Sequence, residues 1–149
     1  MARVSGSWST TVNKPASEVY AYLADPNKHG EWSPKAYHVE DLVGPIGEVG
    51  SSFTSVGWVP RDAAHRNKVT VTQAVPGQVI EFTSEDGGEN FVNRFTLKAD
   101  GAATVVTRST DWPKPSGVAG VLWPVINTAL VGPDINKGLG KLKANLESS

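Results

Sequence analysis

The chain has 149 residues, 14 of them Lys or Arg and 15 Asp or Glu, a formal charge of −1, and no cysteine. That length fits one domain, residues 1–149, able to bury roughly 68–70% of its unfolded surface without staples. The missing thiols exclude disulfide scaffolds, thiolate zinc sites, thiol nucleophiles and redox motifs, and the even mixture of charge leaves no basic face for nucleic acid.

Residues 3–12 alternate cleanly. Val4, Gly6, Trp8, Thr10 and Val12 share one face and Arg3, Ser5, Ser7, Ser9 and Thr11 the other, the pattern of a half-buried strand. Pro15 suits the start of a helix, with Glu18 in its first turn and Val19 and Leu23 four apart. Asp25-Pro26 ends that helix, because the residue before a proline avoids the helical region. Asn27 to Trp32 is expected to form a second short helix that stops at Ser33-Pro34.

Beyond that point, runs rich in Val, Thr, Phe and Ile alternate with turn signals such as Gly44-Pro45-Ile46-Gly47, Pro76-Gly77 and Asp86-Gly87-Gly88. The spacing predicts a meander with strands near 36–43, 49–59, 65–75, 79–85, 90–98 and 103–111. A final helical region covers about 116–147. Pro124 interrupts its first half, Gly132-Pro133-Asp134 reads as a stop and restart, and Leu139, Leu142 and Leu146 form an apolar stripe. The stretch from Pro115 to Pro133 carries no charge, but its glycines and Pro124 favour a buried or lid-like helix over a membrane span. The N-terminal residues contain no apolar signal region. With cysteine absent, a cytoplasmic location is expected.

The order of elements is that of an α+β protein. A seven-stranded antiparallel sheet must bury one face, and the C-terminal helix is the element long enough to cover it. A strongly curved sheet around one helix leaves a cavity, and an apolar cavity with a few polar groups is a binding site.

This arrangement resembles the helix-grip fold of the START-like, or SRPBCC, superfamily, with its polyketide cyclase/dehydrase-like branch. The resemblance rests on Asn13-Lys14-Pro15-Ala16-Ser17-Glu18-Val19-Tyr20-Ala21-Tyr22-Leu23-Ala24-Asp25-Pro26, on Glu31-Trp32-Ser33-Pro34, on Val49-Gly50-Ser51-Ser52-Phe53 and on Leu142-Lys143-Ala144-Asn145-Leu146-Glu147. It implies a fold and a ligand cavity, and not one activity, since the superfamily holds carriers and cyclases alike.

Strand alternation indicates which side chains face that cavity. His65, Asn67, Val69 and Val71 share a face, as do Ile80, Phe82 and Ser84, and Phe91, Asn93, Phe95 and Leu97. In the last strand the set Thr104, Val106, Arg108, Thr110 and Trp112 is preferred inward. Arg108 on that face implies a buried acid, ordered water or a ligand carboxylate or carbonyl; the alternatives are a bulge in the strand or a position at the open mouth in solvent. Arg94 falls on the outer face. His65 is the histidine expected inside, where its ordinary pKa would suit proton transfer. His29 and His38 are expected on a helix surface and a strand edge. Trp32, Trp58, Trp112, Leu122 and Ile126 complete the expected lining. The histidines lack metal-ligand spacing, no phosphate-loop or dinucleotide motif is present, and neither metal nor cofactor is expected.

The expected function is binding of a small hydrophobic molecule: a lipid, a polyketide or an isoprenoid-like compound. Two alternatives stand beside it. One is a cyclase/dehydratase-like enzyme in which Arg108 holds an enolate or carbonyl oxygen and His65 moves protons. The other is a lipid carrier that makes transient membrane contact through the uncharged 115–133 stretch. The sequence leaves the oligomeric state open.

Overall fold

Alternation commits each strand to one packed and one solvated face, and the register of the sheet follows from it. The computed structural model describes residues 2–35, 37–57, 62 and 64–149. In chain order these form β1 (Arg3–Val12), α1 (Ala16–Ala24), a 3-10 turn (Pro26–Lys28), α2 (His29–Trp32), β2 (His38–Val43), β3 (Ser52–Val56), β4 (Arg66–Val75), β5 (Val79–Asp86), β6 (Glu89–Asp100) and β7 (Ala103–Pro113). The C-terminal helix comes in four consecutive pieces: α3 (Gly117–Val121), α4 (Trp123–Ile126), a π-helical turn (Asn127–Val131) and α5 (Gly132–Glu147). The seven strands make one antiparallel sheet in the order β1-β7-β6-β5-β4-β3-β2, so the N-terminal strand closes against the last. Two irregularities bend it: a register shift between Val71 and Gln73 in β4, and one between Glu40 and Val43 in β2, where Asp41 takes φ 53°.

The strand phases match the sequence reading. Val69, Val71, Ile80, Phe82, Phe95, Leu97 and Val106 are buried on the concave face, and α5 lays Ile135, Leu139, Leu142 and Leu146 into it from above. Those four positions follow the i, i+4, i+7, i+11 rhythm of one helix face. On the convex face Glu81 pairs with Arg94 across β5 and β6 at 2.6 Å and accepts from the Thr72 hydroxyl at 2.7 Å.

The short helices are held by polar ties. Asp25 Oδ1 accepts from the Asn27 backbone N–H at 2.9 Å and caps the turn that follows α1. Asn145 of α5 donates to the Tyr22 hydroxyl and to the Glu31 carbonyl, and Lys141 donates to the Ser33 carbonyl. Gly138 permits this close approach: a Cβ there would stand 3.2 Å from the Trp32 carbonyl oxygen.

Three expectations change. β3 is shorter than the 49–59 run, and Trp58 lies outside the described residues. The helix does not stop at Gly132-Pro133. Gly132 has helical φ and ψ, and its N–H bonds five residues back to the Asn127 carbonyl, so the π turn carries the chain into α5 without a break. The interruption lies earlier, at Leu122 (φ −86°, ψ 4°), which leaves Pro124 in the first turn of α4, where it needs no donor.

Candidate ligand cavity

A cavity of about 380 Å³ separates the N-terminal half of the long helix from the sheet. That size is within the range of small-molecule sites. Its floor is built by alternation on four strands: Val69 from β4, Phe82 and Ser84 from β5, Asn93 and Phe95 from β6, Arg108 and Trp112 from β7. β3 adds Phe53 and Ser55, and α2 with the segment after it adds His29, Trp32, Pro34, Lys35 and Tyr37. Ile126, Leu130, Val131 and Ile135 form the roof. At the rim Lys35 and Asp134 form an ion pair that ties the segment after α2 to the first turn of α5.

The aromatic packing is close. The Trp32 ring meets Phe95 edge-on at 5.4 Å, and His29 makes edge contacts with Trp32 at 5.3 Å, Phe53 at 5.7 Å and Phe82 at 5.0 Å. Such contacts rigidify the wall as well as burying area.

Arg108 sits in this apolar setting. Its guanidinium carbon lies 5.6 Å from the Phe95 ring centroid, and Nη2 donates to Asn93 Oδ1 at 2.9 Å. Nε is buried and has no partner among the described residues. No described carboxylate forms an ion pair with it. Burial pulls its pKa down to about 10, with the Tyr37 phenol acting weakly against that shift, so the group stays cationic at neutral pH. Tyr37 is pushed up to about 12, chiefly by burial, while Ser55 and Arg108 oppose the shift.

Two more indole donors face the same problem. Trp32 Nε1 and Trp112 Nε1 are buried without a partner among the described residues. Three N–H donors of cavity-lining residues are thus buried without a partner among the described residues. Leaving such donors dry costs about 1–3 kcal/mol each.

His29 and Tyr37 were not singled out by sequence. His29 is buried rather than on a helix surface. Its Nε2 bonds to the Leu23 carbonyl at 2.8 Å, and burial pulls its pKa down to about 4. A four-residue helix has no periodicity from which this could be read. Tyr37 stands before β2, where alternation has not begun.

His65 must be corrected in the other direction. It precedes β4, outside the cavity lining, with Nε2 3.0 Å from Asp86 Oδ2 and Nδ1 3.5 Å from Asp62 Oδ2. Both ring nitrogens face carboxylates, so it holds two loops together and has no route to a ligand in the cavity. Asn67 is fully buried on the concave face with its amide unpartnered among the described residues, yet it does not line the cavity. Phe91 packs against Trp112 at 6.4 Å and Leu122 is half-exposed; neither lines the cavity. Of the expected lining, Trp32, Phe82, Asn93, Phe95, Arg108, Trp112 and Ile126 meet around it.

Among the described residues no group of three or more His, Asp or Glu is arranged to hold a metal ion, and no helix is long and apolar enough to cross a membrane.

Residues 1–147 match the protein family described as polyketide cyclase / dehydrase and lipid transport. No curated protein matches the chain by sequence. Solved structures share the fold. The KanY protein (ms6282) superposes with a TM-score of 0.71 at 19% identity, covering 99% of each chain. Norcoclaurine synthase from Thalictrum flavum gives 0.69 at 16%, covering 99% of this chain and 88% of the other. The di-domain ARO/CYC protein StfQ of the steffimycin biosynthetic pathway gives 0.72 at 18%, covering 98% of this chain and 51% of StfQ.

Proposed function

The chain belongs to the polyketide cyclase / dehydrase and lipid transport family, and from that membership and the chemistry of the cavity we propose that it binds a small, largely apolar molecule with an acceptor oxygen seated on Arg108. One observation carries the reading. A cationic guanidinium lies over the Phe95 ring, holds one neutral amide through Nη2 and has no carboxylate partner among the described residues. A buried charge without an opposite charge costs several kcal/mol, and a ligand carboxylate or carbonyl offsets that cost by a charge-assisted bond. A buried cation in the lining favours an acceptor oxygen over a plain hydrocarbon, which supports an oxygenated ring compound or polyketide-like molecule ahead of an isoprenoid. Calorimetry with 2-naphthoate, an apolar bicycle bearing one carboxylate, tests this. Binding lost in Arg108→Leu and kept in Arg94→Leu supports the site; equal affinity in all three proteins refutes it.

The second reading is a cyclase/dehydratase-like enzyme in the same cavity. The presence of Arg108 and the Tyr37 phenol in one lining favours it, because a cation and a neutral acid that both reach one oxygen hold a developing enolate. His65 has no part in this reading.

A further inference from the structure

The buried N–H groups of Arg108, Trp32 and Trp112 can only donate, and His29 of the same lining differs from them. His29 Nε2 lies 2.8 Å from the Leu23 carbonyl oxygen. A carbonyl can only accept, so Nε2 carries the proton and donates. Nδ1 of the neutral ring is then an acceptor by default, and it has no hydrogen-bond donor among the described residues. The ring cannot turn to exchange the two nitrogens without giving up the Leu23 bond and its edge contacts with Trp32, Phe53 and Phe82. Its environment also holds it neutral: burial disfavours the imidazolium and outweighs the opposing effects of the Leu23 bond and the Asp25 charge, with the Arg108 charge adding least. The tautomer is thus set by the fold and does not depend on pH across the neutral range.

We propose that His29 is a specificity-determining residue that accepts a hydrogen bond from a hydroxyl of the ligand, so that the cavity selects hydroxylated ring compounds whose carbonyl or carboxylate oxygen is held by Arg108. The inference rests on the binding reading above and narrows its ligand class. A cation reads the acceptor end and a neutral imidazole reads a donor. An ether or a bare hydrocarbon at the second position leaves Nδ1 desolvated and unpaired. A site that desolvates a polar group for one ligand rejects the analogue lacking the partner more strongly than it would reject a change in size alone.

The test compares 2-naphthoate with its 5-, 6- and 7-hydroxy derivatives and the matching methoxy derivatives by calorimetry. In the native chain at least one hydroxy isomer should bind about fivefold to tenfold tighter than its methoxy partner, the worth of one net hydrogen bond. His29→Phe should abolish that preference, so that each hydroxy isomer binds no tighter than its methoxy partner. Because a buried histidine is replaced there, nitrogen-15 spectra of the native chain supply a second readout. The Nδ1 resonance should begin at the unprotonated position and move upfield with the preferred hydroxy isomer, and stay in place with 2-naphthoate. A hydroxyl preference that survives in His29→Phe, no preference in any isomer, or an unmoved Nδ1 resonance overturns the proposal while leaving the Arg108 reading intact. Failure of every naphthoate to bind overturns both.

Discussion

Arg108 reaches across from β7 to β6 and donates to the side-chain oxygen of Asn93 at 2.9 Å, a hydrogen bond between a charge and a neutral amide inside an aromatic cavity. Such a pair stabilises the cation only in part, because Asn93 supplies a dipole and no charge. Arg108→Leu is therefore expected to separate stability from binding. Replacing a buried, unneutralised charge by an apolar side chain is neutral or stabilising, by up to a few kcal/mol. Affinity for 2-naphthoate should fall by about 1.5–3 kcal/mol, the worth of a hydrogen bond to a charged group. Thermal unfolding and calorimetry on the same preparation check both. A large loss of stability would mean that Arg108 is a structural element.

Arg94, one register step away on the opposite face, gives the contrast. It pairs with Glu81, whose side chain is only 12% exposed and also accepts from Thr72. Arg94→Leu leaves that carboxylate without its cation, so stability should fall by about 1–2 kcal/mol with ligand affinity unchanged. An affinity loss matching that of Arg108→Leu would reverse the assignment of faces.

The two variants also mark what the sequence could disclose. Arg108, Asn93 and Phe95 were legible because alternation over ten or more residues fixes strand phase, and a long curved sheet has one face to cover. His65 was misplaced by the same rule. Alternation continues past Asn67 to the strand's end, but the cavity does not, and the carboxylates that engage His65 come from Asp62 and from Asp86 at the far turn of β5. His29 was invisible because its environment is wholly tertiary: Leu23 from the preceding helix and rings from α2, β3 and β5. Gly132-Pro133 carries the local signature of a break, yet helical φ and ψ cost neither residue anything once a π turn precedes them.

The two histidines shape the pH dependence of folding in opposite senses. His29 has its folded pKa lowered to about 4, mainly by burial. The unfolded chain binds its proton more readily, so the neutral ring contributes fully above the unfolded value near 6.5 and that contribution is lost as pH falls toward 4, roughly 3 kcal/mol over the range. His65 has its folded pKa raised, first by its bond to Asp86 and then by Asp86 and Asp62 charge. Its contribution is present below 6.5 and fades as pH rises through the raised value. Urea midpoints measured from pH 4.5 to 8.5 should pass through a maximum near pH 6.5. His65→Asn should flatten the alkaline side alone, and His29→Phe the acidic side. A profile unchanged by either substitution would show that both rings titrate alike in the folded and unfolded chain.

The last expectation concerns the helix itself. Val118, Val121, Val125 and Leu130 are all more than 60% exposed, so they add little burial to hold the segment down. The same segment presents Ile126 and Val131 to the cavity, with the exposed Leu130 at its edge. It is broken at Leu122 and wound as a π turn from Asn127 to Val131, two departures from regular helix bonding. By contrast α5 buries Ile135, Leu139, Leu142 and Leu146 against the sheet, each worth about 1.5–3 kcal/mol. Local opening should therefore require less free energy in 117–131 than in 138–146. Amides of 117–131 should exchange faster in the ligand-free chain and slow when 2-naphthoate fills the cavity, because the roof then gains apolar contact from below. Liposomes of neutral phospholipid offer a second source of cover. Slowing confined to the outward residues Val118, Val121 and Val125 in their presence would support the carrier alternative, in which this face meets a bilayer. Exchange as slow as in β5 and β6, with no response to either addition, would make the segment ordinary core.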